Sequence, residues 1–157
     1  MILGQVFTPK AININLVSED KEEVFEELIE EFISLQPTLD RSEVLASIQE
    51  REEKMSTGIL PGIAVPHGKS SAFSEIKGVI GLSANGIDYE SLDLKPVHVI
   101  FMLISPIENT EEHLQVLKVL AQILEDPSFY RTVMSAKTPE QVYDILCSFE
   151  EEHSLLF

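Results

Sequence analysis

No apolar run in these 157 residues approaches the roughly 18 residues a membrane-spanning helix needs, so membrane insertion is not expected. The opening residues, Met1-Ile2-Leu3-Gly4-Gln5, lack the basic stretch and apolar segment of a signal peptide. Cysteine is nearly absent. Cys147 stands alone and cannot form an internal disulfide, which makes a reducing compartment, the cytoplasm, the expected location. Basic residues are also scarce: 11 Lys and Arg face 27 Asp and Glu, for a formal net charge of −16. Nucleic-acid binding needs clustered cations to neutralise phosphates, so that class is excluded, and an anionic membrane surface is disfavoured for the same reason. Such acidity serves solubility, and it steers a chain toward partners with basic patches.

What is present describes one ordinary globular domain spanning residues 1–157. Hydrophobic residues make up 44% of the chain, too many for a disordered one, and no repeat or Pro/Gly/Ser linker divides it. After an extended stretch near Ile12–Val17, Ser18 is placed to cap a helix with Val24, Phe25, Leu28, Ile29, Phe32 and Ile33 on one face. Pro37 ends it. Asp40 or Ser42 caps a second helix whose stripe reads Val44, Ile48, Arg51, Met55. Thr57–Gly68 is a loop around the short apolar piece Ile63-Ala64-Val65, and Ile76–Ala84 and Val97–Ile104 read as strands with Asn85-Gly86 as the turn between them. The second strand is apolar on both alternating faces, as in a sheet covered on both sides. Thr110 is expected to cap a helix from Glu111 to Leu124, Pro127 starts a short helix, and Thr138-Pro139 open a last one bearing Val142, Ile145, Leu146 and Phe149. The class expected is α/β, with a mixed parallel/antiparallel sheet between helical layers.

Three residues stand out chemically. His67 lies between Pro66, which fixes the backbone, and Gly68, which allows close approach, at the end of an apolar segment where open α/β folds keep their sites. A largely neutral imidazole there has a ring nitrogen able to attack phosphorus, although the motif by itself is weak and fits a hydrogen-bonded loop histidine better. His113 falls in the first turn of the helix expected after Thr110, the end that attracts anions, or else faces solvent as a polar first-turn residue. Arg51 sits on a core-facing stripe, where its charge needs a cleft or partner, and a guanidinium fork matches phosphate oxygens, as it would an ion pair. Thr57, Gly58, Gly62 and Gly68 are candidates to offer backbone N–H groups to the same anion.

Several catalytic signatures are missing. There is no glycine loop ending in Lys-Ser or Lys-Thr, no dinucleotide fingerprint, no nucleophile elbow and no His or Cys pair with zinc spacing. The chain thus offers no ATP site of its own, and any phosphoryl group on His67 has to arrive on another protein. Two other classes compete: a metal-binding or hydrolytic site using His67, His113 and His98, and a non-catalytic adaptor with His67 inert. His98 at a strand start reads as a hydrogen-bonded structural residue, His153 as part of a solvated acidic tail, and Cys147 as buried. Phe73 fits either the core or a docking surface.

At these residues the sequence resembles the enzyme IIA (EIIA) component of the bacterial phosphoenolpyruvate-dependent phosphotransferase system, in the fructose/mannitol and nitrogen-regulatory class. The matching pieces are Arg51-Glu52, Ser56-Thr57-Gly58, Gly62-Ile63-Ala64-Val65-Pro66-His67-Gly68 and Glu112-His113-Leu114, with similar spacing between them. Ser135–Leu146 is similar to the family's closing helix. The resemblance implies that His67 accepts a phosphoryl group from an HPr-like phosphocarrier protein, with His113 and Arg51 lining the same site and no cofactor or metal. It implies a recipient that is either an EIIB domain, on the way to a sugar, or a regulatory target protein. Asp93-x-Lys95-Pro96-Val97 and Phe101–Pro106 are more similar to nitrogen-regulatory members, and no EIIB- or EIIC-type segment lies within these residues. Leu60-Pro61 departs from the glycine-containing turn common in the family.

Overall fold

A computed structural model describes residues 2–154; Met1 and residues 155–157, the two ends of the expected domain, lie outside the described residues. The elements run α1 (Leu3–Val6), β1 (Ile12–Asn13), α2 (Lys21–Leu35), α3 (Arg41–Lys54), β2 (Ile63–Ala64), β3 (His67–Lys69), β4 (Lys77–Ile87), β5 (Val97–Ser105), α4 (Thr110–Leu124), α5 (Pro127–Met134) and α6 (Pro139–Ser154). The near-continuous apolar run of β5 is used as its composition requires, with both edges paired and both faces covered. β4 lies antiparallel along one edge, and β2 and then β3 lie parallel along the other. β1 is parallel to β4 on the far side, which completes a mixed sheet.

Each face of the sheet has its own core. Ile80, Phe101 and Leu103 pack with Val116, Leu120 and Leu146 beneath α4, α5 and α6. Val79, Ile100 and Met102 pack with Val24, Leu28 and Ile48 beneath α2 and α3. Helices on both faces of a mixed sheet are the architecture expected from the alternating pattern. Phe73 belongs to the second core, where its ring meets Phe32 edge to face at 5.6 Å.

Some boundaries differ from expectation, each for a local reason. Asp20, not Ser18, caps α2 by accepting the Glu23 N–H at 2.9 Å. Ser18 is engaged elsewhere, with its hydroxyl donating to Glu27 at 2.5 Å. Asn85-Gly86 is no hairpin turn but part of β4. The Ser83 hydroxyl accepts the Gly86 N–H at 3.0 Å, Gly86 takes a φ of +87°, and the pairing with β5 shifts register between Leu82 and Ile87. The chain reverses only after Ile87. There Asp93 accepts the Lys95 N–H at 3.0 Å and the Ser91 hydroxyl at 2.9 Å. Asn109 rather than Thr110 precedes α4, and Thr110 is its first residue.

Candidate functional site

His67 begins β3 opposite Leu103 of β5, near the carboxyl end of the central strand. The Pro66 carbonyl accepts the Leu103 N–H at 3.0 Å, which ties the histidine's backbone to the sheet. From the other side α3 presses so close that a Cβ on Gly68 would lie 2.5 Å from the Ser47 carbonyl oxygen. Glycine is therefore required next to His67. The His67 Nδ1 lies 2.8 Å from the Val65 carbonyl oxygen. A carbonyl only accepts, so Nδ1 carries the hydrogen and the lone pair is on Nε2. Burial lowers the His67 pKa, the Val65 bond opposes that, and the Arg51 charge lowers it further, so the ring is neutral near pH 7.

His113 does not face solvent: its exposure is 5%. It is the fourth residue of α4, with its backbone N–H bonded to the Asn109 carbonyl at 3.0 Å, so only its side chain is free to contribute. Its ring centroid is 5.5 Å from that of His67, tilted by 49°. Nδ1 is hydrogen-bonded with the Ser105 hydroxyl at the end of β5. Burial, then the neighbouring His67 and Lys69, push its pKa down to about 4. The Lys69 ammonium is held nearby by the Thr110 hydroxyl at 3.1 Å.

Arg51 and His67 both line a cleft of about 250 Å³, together with Ile63, Val65 and Leu120. The Arg51 side chain is not on the inward stripe of α3. It folds over the helix end, where Nη1 donates to the Met55 carbonyl at 2.8 Å, and Met55 itself is exposed. The inward stripe is Val44, Ile48 and Glu52. Sequence reasoning gave Glu52 no role, although the unbroken four-residue spacing from Val44 and Ile48 was the signal for it. The buried Glu52 carboxylate accepts the Thr57 N–H at 2.9 Å, the Thr57 hydroxyl at 2.7 Å and the Tyr89 hydroxyl at 3.1 Å, and pairs with Lys21 at 3.2 Å. Burial and the Glu52 charge keep Tyr89 protonated.

The proposed backbone donors divide. The Thr57 N–H is engaged by Glu52, and the Gly58 N–H by the Ser56 hydroxyl at 3.1 Å. Gly62 lies against Tyr130, its carbonyl accepting the His98 N–H at 2.8 Å, with a φ of +75° in a turn that Leu60 and Ile63 close at 3.2 Å. Leu60-Pro61-Gly62-Ile63 is thus a Pro-Gly turn, with glycine supplied one position after the expected place. Gly68 supports β3 through the Ser47 contact.

The remaining candidates lie apart. His98 Nδ1 donates to the Ser83 carbonyl at 2.8 Å and its ring faces Tyr130, outside the His67 cleft. His153 is not a solvated tail residue; it is half-buried and 3.2 Å from Asp126, which links α6 to the cap of α5. Cys147 is half-buried, its thiol pushed up by burial. Among the described residues no group of three or more His, Cys, Asp or Glu is placed to hold a metal ion, and no helix is long and apolar enough to cross a membrane.

This sheet with helices on both faces is the architecture of the nitrogen regulatory protein IIA-Ntr from Neisseria meningitidis. Its crystal structure aligns with a TM-score of 0.86 at 28% identity, covering 93% of this chain and 99% of that one. A nitrogen regulatory protein from Pseudomonas aeruginosa is 33% identical over 145 residues, covering 92% of this chain and 94% of the relative. A fructose-specific EIIABC component from Bacillus subtilis is 31% identical over 146 residues, covering 93% of this chain; the chain spans 23% of that relative's length. Residues 5–148 match the family described as phosphoenolpyruvate-dependent sugar phosphotransferase system, EIIA 2, and the chain belongs to it.

Proposed function

We propose that this EIIA-type chain carries a phosphoryl group on Nε2 of His67, taking it from an HPr-like phosphocarrier protein. The observation that supports this most directly is the Val65 carbonyl on Nδ1, which leaves the Nε2 lone pair as the nucleophile. In the transfer the Nε2 lone pair attacks phosphorus, the donor's N–P bond breaks, and its electron pair returns to the donor nitrogen. No proton has to move, so positioning and charge stabilisation do the catalytic work. Arg51 and His113 are the groups to offset charge on the transferring oxygens. His67 is neutral near pH 7 and needs no base to activate it.

For the recipient we favour a regulatory partner in the cytoplasm. Support comes from near full-length likeness to nitrogen regulatory proteins at both the sequence and structure level. Transfer to an EIIB domain of a fructose- or mannitol-type permease is the second reading, favoured by the Bacillus subtilis fructose-specific relative. Intact-protein mass after incubation with phosphoenolpyruvate, enzyme I and HPr tests the carrier role, with a known EIIA labelled in parallel. One acid-labile phosphoryl on the native chain, absent in His67→Ala, is the expected result. An unlabelled native chain beside a labelled control contradicts it. Adding a phosphoryl-accepting EIIB then separates the two recipients.

A further inference from the structure

Ser105 ends β5 with no exposed surface. Its carbonyl is committed to the sheet edge, where it accepts the Ser70 N–H at 2.9 Å. Its hydroxyl is bonded to His113 Nδ1 and, among the described residues, meets no other side-chain or backbone partner. A hydroxyl has one hydrogen to place. Were Nδ1 to carry the imidazole hydrogen and donate to Oγ, the hydroxyl hydrogen would be buried with no acceptor, which native interiors avoid. Both groups are satisfied only when Oγ–H donates to Nδ1, and the imidazole hydrogen is then on Nε2.

His67 is held the other way round, because its Nδ1 faces a carbonyl. Two rings 5.5 Å apart are therefore locked in opposite tautomers, one presenting a lone pair at Nε2 and the other an N–H. With burial pushing its pKa down to about 4, His113 is neutral near pH 7, and its tautomer and not its charge decides what Nε2 offers.

We infer that Ser105 is a positioning residue for phosphoryl transfer: its hydroxyl holds His113 in the tautomer whose Nε2–H donates to an oxygen of the phosphoryl group on His67. Ser105 has this role only if His67 carries the phosphoryl, whereas the tautomer it imposes exists in the free protein as well.

Two measurements on histidine-¹⁵N-labelled full-length protein test this. In the free native chain, long-range ¹H–¹⁵N spectra are expected to show His113 protonated at Nε2 and His67 protonated at Nδ1. In Ser105→Ala the single His113 tautomer is lost, and the rate of phosphoryl uptake from phospho-HPr falls about 10-fold, the equivalent of one hydrogen bond to the transferring group. Ser105→Cys, which keeps a weak donor of similar volume, falls between. Placed in a His113→Ala background, Ser105→Ala has no further effect on the rate. Nδ1 protonation of His113 in the native chain overturns the assignment, whether or not Ser105→Ala folds. A Ser105→Ala chain with native rate and native His113 shifts, or an equal loss in the His113→Ala background, overturns the role. A native chain that takes no phosphoryl refutes the carrier reading itself, an outcome distinct from normal uptake by Ser105→Ala.

Discussion

Glu52 and Thr57 are joined twice across the end of α3: one carboxylate oxygen accepts the Thr57 N–H at 2.9 Å and the other accepts its hydroxyl at 2.7 Å. The chain between them contains Met55, whose carbonyl holds the Arg51 guanidinium at 2.8 Å. The buried acid thus fixes the turn that positions the arginine beside His67. Glu52→Ala would leave Lys21, Thr57 and Tyr89 without their shared acceptor. A loss of about 2–3 kcal/mol in urea unfolding is expected, with slower phosphoryl uptake. Glu52→Gln, which keeps one acceptor oxygen but loses the charge paired with Lys21, is expected to lose less than Glu52→Ala.

The two site histidines give stability a pH dependence. Both pKa values are depressed in the folded chain, His113 to about 4, while an unfolded histidine titrates near 6.5. Below pH 6.5 the unfolded chain binds protons that the folded one refuses, so stability falls with decreasing pH until the folded value is reached. Above 6.5 both forms are neutral and there is no effect. Between pH 7.5 and 5.0 the native chain should lose about 2 kcal/mol more than His113→Gln, measured by urea unfolding at both pH values. Comparing the two chains cancels the titration of the many shared carboxylates.

A methyl group beside His67 should displace it. Gly68→Ala places Cβ 2.5 Å from a backbone oxygen of α3, which cannot rotate away as a side-chain tip would. Overpacking of this kind costs about 1–3 kcal/mol. Thermal unfolding should show that loss, with phosphoryl uptake reduced by more than stability alone explains.

Charge beside His67 should matter to the transfer and not to the fold. Arg51 lies at the half-exposed rim of the cleft, where it donates to the carbonyl of Met55 four residues on. Arg51→Ala is expected to slow phosphoryl uptake about 100-fold, the scale of losing one preorganised donor, while its unfolding midpoint stays within error of native. Single-turnover uptake from phospho-HPr reads this directly.

His98 separates the phosphoryl and metal readings. It is tied to Ser83 and Tyr130 in a different groove, so His98→Gln should take up phosphoryl as the native chain does. A metal site built from His67, His113 and His98 would instead require all three for activity and would show bound metal in elemental analysis.

Much of this was legible from the chain. The periodicity of residues 24–33 and the two-faced apolar strand at 97–104 placed the layers, and Pro66-His67-Gly68 and His113 singled out two rings that the fold brings within 5.5 Å. What was missed depended on side chains competing with local signals. Asn-Gly is the strongest short hairpin signal, yet the Ser83 hydroxyl captured the Gly86 N–H and turned the hairpin into a bulge. Arg51 and Glu52 both continue a helical stripe from Ile48, by three residues or by four. Burying an acid is the less expected choice until Thr57, Tyr89 and Lys21 are seen to converge on it. Ser105 lies just past the strand read at 97–104 and carries no signal of its own until β5 brings it against His113.

The most direct measurement of the central claim is ³¹P and ¹⁵N NMR of the phosphorylated chain with ¹⁵N-labelled histidine. The expected spectrum shows phosphorus coupled to Nε2 of His67, with Nδ1 of the same ring still protonated toward Val65. Phosphorus on Nδ1 of His67, on His113, or on no histidine at all would contradict it.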